Sequence, residues 1–256
     1  MSVKLKICTF NLRTPVPNDG VNYLPNRKQR ILDCIKAESP DIIGFQEAAV
    51  YTADWLRETL HDYVIVGCGR GKTLNDEASL IAYRKNAFEM VSAETFWLSL
   101  APTEPGSRYG ADQSKCPRVA TAAVLKHREA AQLFLFVNTH LDHKGSAARM
   151  YGAIQILQYI SEKKLPFVLT GDLNAWPDAP EIKVISACEY LHAVDLTAGV
   201  GGTFHGFGTR VPNTKIDYVF SDLPADPTES YAVEDIPADG VYISDHRPVI
   251  SFVTVE

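Results

Sequence analysis

Short apolar runs recur along the chain, and each stops abruptly at polar residues. Val3 to Phe10 leads into Asn11 and Arg13, Ile42 to Phe45 into Gln46 and Glu47, Leu133 to Val137 into Asn138 and His140, and Phe167 to Leu169 into Gly171, Asp172 and Asn174. Runs this short, rich in Val, Ile and Phe and bounded by turn residues, predict buried strands. Between them the period lengthens. Met150, Ala153, Ile154, Leu157 and Ile160 paint one face of a helix, with Ser146 as its expected cap and Pro166 as its stop. Ile31, Cys34 and Ile35 mark a second helix that must end near Pro40, and Trp55, Leu56 and Leu60 a third, started by Thr52. From Ser79 to Leu98 two apolar runs, Leu80 to Tyr83 and Phe88 to Val91, flank Arg84-Lys85-Asn86, the pattern of a hairpin. Such a mixture predicts sheets packed face to face with helices outside, and polar groups at several strand ends that converge on one rim.

No repeat, low-complexity tract or long linker divides the sequence, so residues 1–256 are expected to form a single domain. Apolar residues make up 46% and charged residues 22%, which excludes disordered and fibrous classes. The net charge of -6 opposes tight non-specific binding to a polyanion, unless bound cations reverse the field locally. Five widely spaced cysteines without a CxxC pair fit small buried side chains in a reducing compartment. The Met1 to Thr9 segment reads as a strand rather than a signal peptide, and no stretch is long enough to span a membrane, so a cytoplasmic location is expected.

The strand ends supply Asn11, Glu47, His140, Asp142, Asp172 and Asn174, and the C-terminal part adds Asp217, Asp245 and His246. Nearly all offer oxygen or imidazole. A set of carboxylates and amides without thiolate suits Mg²⁺ or Mn²⁺ better than zinc or iron. Each fragment alone has a bland explanation: Glu47 as a solvent-facing carboxylate, Asn174 as an Asx turn, His140 as a core histidine. Their conjunction and order carry more information. Thr9-Phe10-Asn11-Leu12-Arg13, Gln46-Glu47, Asn138-Thr139-His140-Leu141-Asp142, Gly171-Asp172-Leu173-Asn174, Ile216-Asp217-Tyr218-Val219-Phe220 and Ser244-Asp245-His246-Arg247-Pro248 span almost the whole chain. In this order they resemble the endonuclease/exonuclease/phosphatase superfamily.

The resemblance implies a four-layered α/β sandwich, with two packed, mostly antiparallel sheets flanked by helices and the site at the rim. It further implies a metal-dependent phosphoesterase with Glu47 as principal metal ligand and Asn11 and Asp245 nearby. Asp172 would hold or deprotonate the attacking water, Asn174 would orient it, and His246 would contact the phosphate with Asp217 fixing its tautomer. His140 matches a histidine near the leaving group. Arg118, before an apolar strand, is a candidate phosphate grip, with an ordinary surface arginine as the alternative. His143, Phe204 and His205 are candidates to line the cleft, and the Pro- and Gly-rich stretch from Ala101 to Ser114 is an expected rim loop. A phosphate ester that is small or single-stranded is the expected substrate. A duplex-DNA endonuclease and an inactive scaffold of the same fold remain the alternatives, and oligomeric state is left open.

Overall fold

In the computed structural model, which describes every residue except 111, 211–213, 236 and 238, the apolar runs become strands of two six-stranded sheets. The first sheet holds β1 (Val3–Asn11), β2 (Ile42–Ala48), β3 (Tyr63–Val66), β4 (Ala78–Arg84), β11 (Tyr231–Ala232) and β12 (Val249–Val255), in the order β11-β12-β1-β2-β4-β3. The second holds β5 (Phe88–Trp97), β6 (Val119–His127), β7 (Leu133–His140), β8 (Phe167–Asp172), β9 (Val194–Asp195) and β10 (Asp217–Ser221), in the order β5-β6-β7-β8-β10-β9. Each sheet has a parallel pair at its centre, β1 with β2 and β7 with β8, and its other pairings are antiparallel. A parallel pair requires a crossover connection, supplied here by α1 (Leu24–Glu38) and α3 (Ser146–Lys163).

Period-two alternation divides the strand residues between two cores. On the outer face of the first sheet, Phe10, Phe45 and Leu80 pack with Ile31 and Ile35 of α1 and with Trp55 and Leu56 of α2 (Val50–Thr59). On the outer face of the second, Leu135, Val137 and Leu169 pack with Leu157 and Ile160 of α3 and with Ile182 of α4 (Pro180–Ser186). Between the sheets lie Leu5, Ile7 and Ile42 against Phe134, Phe136 and Val168. Helix, sheet, sheet and helix make the four layers expected from the resemblance.

The inner faces change character along their length. The next inward positions after these apolar residues are Thr9, Gly44 and Gln46, Asn138 and Thr170, and all four of the polar side chains are fully buried. They form one clasp. Gln46 Nε2 donates to Thr9 Oγ1 (3.0 Å) and across the seam to Asn138 Oδ1 (2.7 Å). Asn138 Nδ2 donates back to the carbonyls of Phe45 and Leu80 (2.8 Å each), and Thr170 Oγ1 donates to Asn138 Oδ1 (3.1 Å). The partners belong to both sheets, so satisfying Asn138 fixes how the sheets register.

Three local expectations are corrected. Ser79 to Leu98 is no hairpin: β4 lies in the first sheet and β5 in the second, so Arg84-Lys85-Asn86 carries the chain between sheets. β4 is buried on both faces whereas β5 is an edge strand exposed over much of its length, an asymmetry that local alternation does not reveal. Gly145, not Ser146, is the N-cap of α3, and the Asp112 carboxylate accepts from Ala147 N (2.8 Å) and Ala148 N (3.1 Å) there. α2 begins at Val50, with Thr52 buried inside its first turn.

Gly44 is required by the clasp. A Cβ there would lie 2.3 Å from Thr170 Oγ1 and 2.6 Å from Asn138 Oδ1. Gly44→Ala is expected to destabilise the fold by about 1–3 kcal/mol, as overpacking does. Chemical denaturation measures this, and an unchanged midpoint contradicts the close approach.

Candidate active site

Two residues beyond the clasp, the same inward-facing rows reach the rim with Asn11 on β1, His140 on β7 and Asp172 on β8. Asn11 Nδ2 donates to Glu47 Oε1 (3.2 Å) and, across the seam, to Asp172 Oδ2 (3.0 Å), while its Oδ1 accepts from Arg13 N (2.9 Å). Glu47 follows inward-facing Gln46 directly, so regular alternation would aim it outward. A register shift against β4 between Phe45 and Ala48, with Glu47 at φ +58°, turns it into the cleft instead. Its Oε2 accepts from Thr14 N (2.7 Å). Arg13 (φ +56°) and Asn174 (φ +49°) share this left-handed conformation. Such backbones cost on the order of 1–3 kcal/mol each in non-glycine residues and concentrate at functional sites.

Asp172 sits at the centre. Its Oδ1 accepts from Asn174 N (2.9 Å), and its Oδ2 lies 3.5 Å from His140 Nε2 and 3.8 Å from His246 Nε2. Burial raises its pKa, the His246 charge opposes this, and Asp217 and Glu47 add to it, leaving the carboxyl pushed up to about 7. His140 is held well below the ordinary imidazole range by burial and then by the charges of Arg118 and Arg70. Asn174 Nδ2 lies 2.9 Å from His140 Nε2 and 3.1 Å from the Leu141 carbonyl. A neutral ring that accepts at Nε2 and carries its proton on Nδ1 satisfies both contacts.

The second imidazole has the opposite state. His246 Nδ1 lies 2.9 Å from Asp217 Oδ2, which also accepts from Thr203 Oγ1 (2.6 Å). Burial disfavours the imidazolium, but Asp217 at hydrogen-bond distance, then Asp172 and Asp245, outweigh it and push the pKa up to about 10. A protonated Nε2 therefore faces Asp172. Ligand atoms of Glu47, His140 and Asp172 lie within 4.8 Å of one another, as do those of Asp172, Asp217 and His246. The first of these groups is a candidate metal-binding cluster.

The cleft around these residues has a volume of about 350 Å³, and Asp245, Arg118, His143, Phe204 and Ile216 also line it. Asp245 Oδ2 is 3.8 Å from Arg13 Nε. The Phe204 ring lies 4.9 Å from that of His246. Asp142 faces away from the reacting centre: its carboxylate accepts from Ser114, Lys144 N and Gly145 N, which ties the 101–118 loop to the start of α3. His205 is not brought to the cleft. It is buried, its Nδ1 accepts from Gly208 N (3.1 Å), and its ring packs against Tyr242 at 5.1 Å. Sequence reasoning missed Arg70 and the bond from Thr203 to Asp217. The Gly67-Cys68-Gly69-Arg70-Gly71 pattern marks a tight loop that presents one cation, and was the available signal for the first. A larger hollow of about 530 Å³, lined by Asp62, Arg84, His127 and Arg128, lies at the opposite strand ends, away from this cluster.

The model of the Endonuclease/Exonuclease/phosphatase family matches residues 8–246. A crystal structure of an endonuclease/exonuclease/phosphatase from Bacteroides vulgatus is 30% identical, covers 99% of this chain and 100% of that one, and superposes with a TM-score of 0.91. The structure of a mannosyl-6-phosphatase from Bacteroides thetaiotaomicron is 26% identical, covers 98% of this chain and 100% of its own, and has a TM-score of 0.86. An uncharacterized protein of Acanthamoeba polyphaga mimivirus is 30% identical over 161 residues, and the match spans 58% of each chain, under two thirds of that relative's length.

Because the folded pKa of His246 is raised, its contribution to stability is complete below the ordinary value of about 6.5 and is lost as pH rises through about 10. In a proton-detected titration His246 is expected to stay charged through neutral pH, and Asp217→Asn to release its proton at much lower pH. A His246 that titrates between 6 and 7, as about the unperturbed value requires, contradicts the ion pair.

Proposed function

The chain belongs to the endonuclease/exonuclease/phosphatase family of phosphoesterase hydrolases, and we propose that it hydrolyses a phosphate monoester of a small molecule with the help of a divalent cation, Mg²⁺ or Mn²⁺. The observation that carries this is the pairing of unlike groups about Asp172. On one side stands the charged His246, and on the other the Glu47 carboxylate, braced to Asp172 through Asn11.

The oxygen donors of Glu47 and Asp245 fit a hard cation. Asn11 belongs to the same environment as the amide that holds Glu47 and Asp172 together, its own oxygen being taken by Arg13 N. When bound, the cation supplies positive charge against the phosphoryl and ester oxygens. Asp172, with a pKa near 7, takes the proton of the attacking water, a good match for a general base at neutral pH. The water oxygen bonds to phosphorus as the bond from phosphorus to the ester oxygen breaks, and that oxygen takes a proton from solvent water and leaves as the alcohol. His246 donates from Nε2 to a phosphoryl oxygen, with Asp217 keeping the ring charged and oriented. Asn174, fixed by its backbone bond to Asp172, orients the water, and neutral His140 restrains the Asn174 amide. Arg118 and His143 meet the substrate beyond these groups.

Three facts support a small ester. The cleft volume lies at the lower end of small-molecule sites, the net charge of -6 works against a nucleic-acid duplex, and a relative 26% identical over nearly the whole chain is named a mannosyl-6-phosphatase.

Phosphate release from a panel of sugar phosphates, mononucleotides and p-nitrophenyl phosphate is expected with Mg²⁺ or Mn²⁺ and to stop on chelation. Turnover that survives chelation contradicts the metal requirement. Asp172→Asn is expected to lower kcat by about a hundredfold or more. Full activity in that variant removes Asp172 from the role of base.

A further inference from the structure

Buried arginines engage their donors, because an unpaired charged donor in the interior costs several kcal/mol. Arg27 obeys this. Fully buried, it donates from Nε, Nη1 and Nη2 to the carbonyls of Asn22, Leu12, Ile243 and Arg13 at 2.6 to 3.0 Å. Two other arginines do not. Arg118 is 4% exposed and Arg70 8% exposed, yet Arg118 Nη1 and Arg70 Nε have no hydrogen-bond partner among the described residues.

Both arginines line the cleft, and with Glu47, Glu77 and His140 they also enclose a narrow recess beside it. Their acidic neighbours do not saturate them. Asp142 lies 3.5 Å from Arg118 Nε and spends its oxygens on Ser114, Lys144 and Gly145, while Glu77 takes Arg70 Nη1 at 3.0 Å and Asp76 stands 3.6 Å from Arg70 Nε. Arg118 Nη2 donates to His143 Nδ1 (2.8 Å), so that ring carries its proton on Nε2 as a further donor. Among the described residues, no hydrogen bond connects Arg70, Arg118 or His143 to Glu47, Asp172 or His246. One cleft thus contains two separate polar networks.

We infer that Arg70 and Arg118 form a second oxyanion subsite, so that the substrate is a small phosphate ester carrying another anionic group, phosphoryl or carboxylate, besides the phosphate that is hydrolysed. This rests on the phosphoesterase reading above and narrows it. An oxyanion bound in the cleft beside these two side chains offsets the repulsion between their guanidinium groups. The planar forks suit phosphoryl and carboxylate oxygens alike.

Alkane α,ω-bisphosphonates of two to six carbons, which cannot be hydrolysed, and the matching alkyl monophosphonates provide the test, by calorimetric titration of the full chain with Mg²⁺ present. At the best-fitting length the bisphosphonate is expected to bind at least about tenfold tighter than its monophosphonate, the worth of one charge-assisted hydrogen bond. Arg70→Gln and Arg118→Gln should each erase that advantage, and Arg70→Lys should keep part of it. ω-Phosphonoalkanoates distinguish the sources: tight binding assigns the subsite to carboxylate as well, and weak binding to phosphoryl alone. Equal affinity for the two series at every length, no binding of either, or an advantage that survives both Gln variants overturns the inference. Failure of the parent reading shows separately, as absence of metal-dependent phosphate release from any ester.

Discussion

The site depends on a buried amide. Asn138 reaches out of the second sheet, donates to two backbone carbonyls of the first, and accepts from Gln46 and Thr170. Apolar packing between two sheets is non-directional and tolerates sliding, whereas a fully buried amide surrounded by fixed partners does not. Displacement by one strand position would leave several buried polar groups unpaired, at about 1–3 kcal/mol each. The clasp lies one or two residues before Asn11, Glu47, His140 and Asp172 on their own strands, so fixing it fixes them. Two further bonds repeat the crossing at the rim, from Asn11 to Asp172 and from His246 to Asp217.

Such a frame allows charges to be held where water would otherwise dissipate them. Asp172, Asp217 and His246 are all nearly inaccessible to solvent. Burial and neighbouring carboxylates bring Asp172 to about 7, and paired carboxylates carry His246 to about 10. His246 and His140 of one cleft are therefore driven apart, one charged beside acids and one neutral beside arginines. Divergent protonation of like groups is how a site assigns acid and base roles at one pH. The left-handed backbone at Arg13, Glu47 and Asn174 adds strain that the packed sheets sustain.

Much of this was legible in the chain itself, for a physical reason. Strands buried on both faces read as continuous apolar runs, and a polar residue that interrupts one, such as Gln46 or Asn138, must have a partner. The six polar blocks therefore marked the rim and the order of its strands. Other features depend on distant partners. The segment Ser79 to Leu98 has hairpin chemistry, yet sheet membership is decided by which neighbours β4 and β5 pair with. Asp112 caps α3 from a loop more than thirty residues away. The aim of Glu47 follows from a bulge that leaves no mark in composition, and His205 resembled a cleft residue only because its burial against Tyr242 is a tertiary fact. Arg70, in the loop between β3 and β4, was overlooked because it acquires meaning beside Arg118, which precedes β6 of the other sheet.

The central claim is that both sheets contribute to a single reaction centre, a cation-holding side led by Glu47 and a phosphate-holding side shared by His246, Asn174 and Asp172. A crystal structure with Mn²⁺ and inorganic phosphate, the ion located by its anomalous scattering, tests it most directly. The account predicts an ion in contact with Glu47 and a phosphate touching that ion, His246 and Asn174 together. An ion and a phosphate bound at separate places, or an ion that leaves Glu47 untouched, would contradict it.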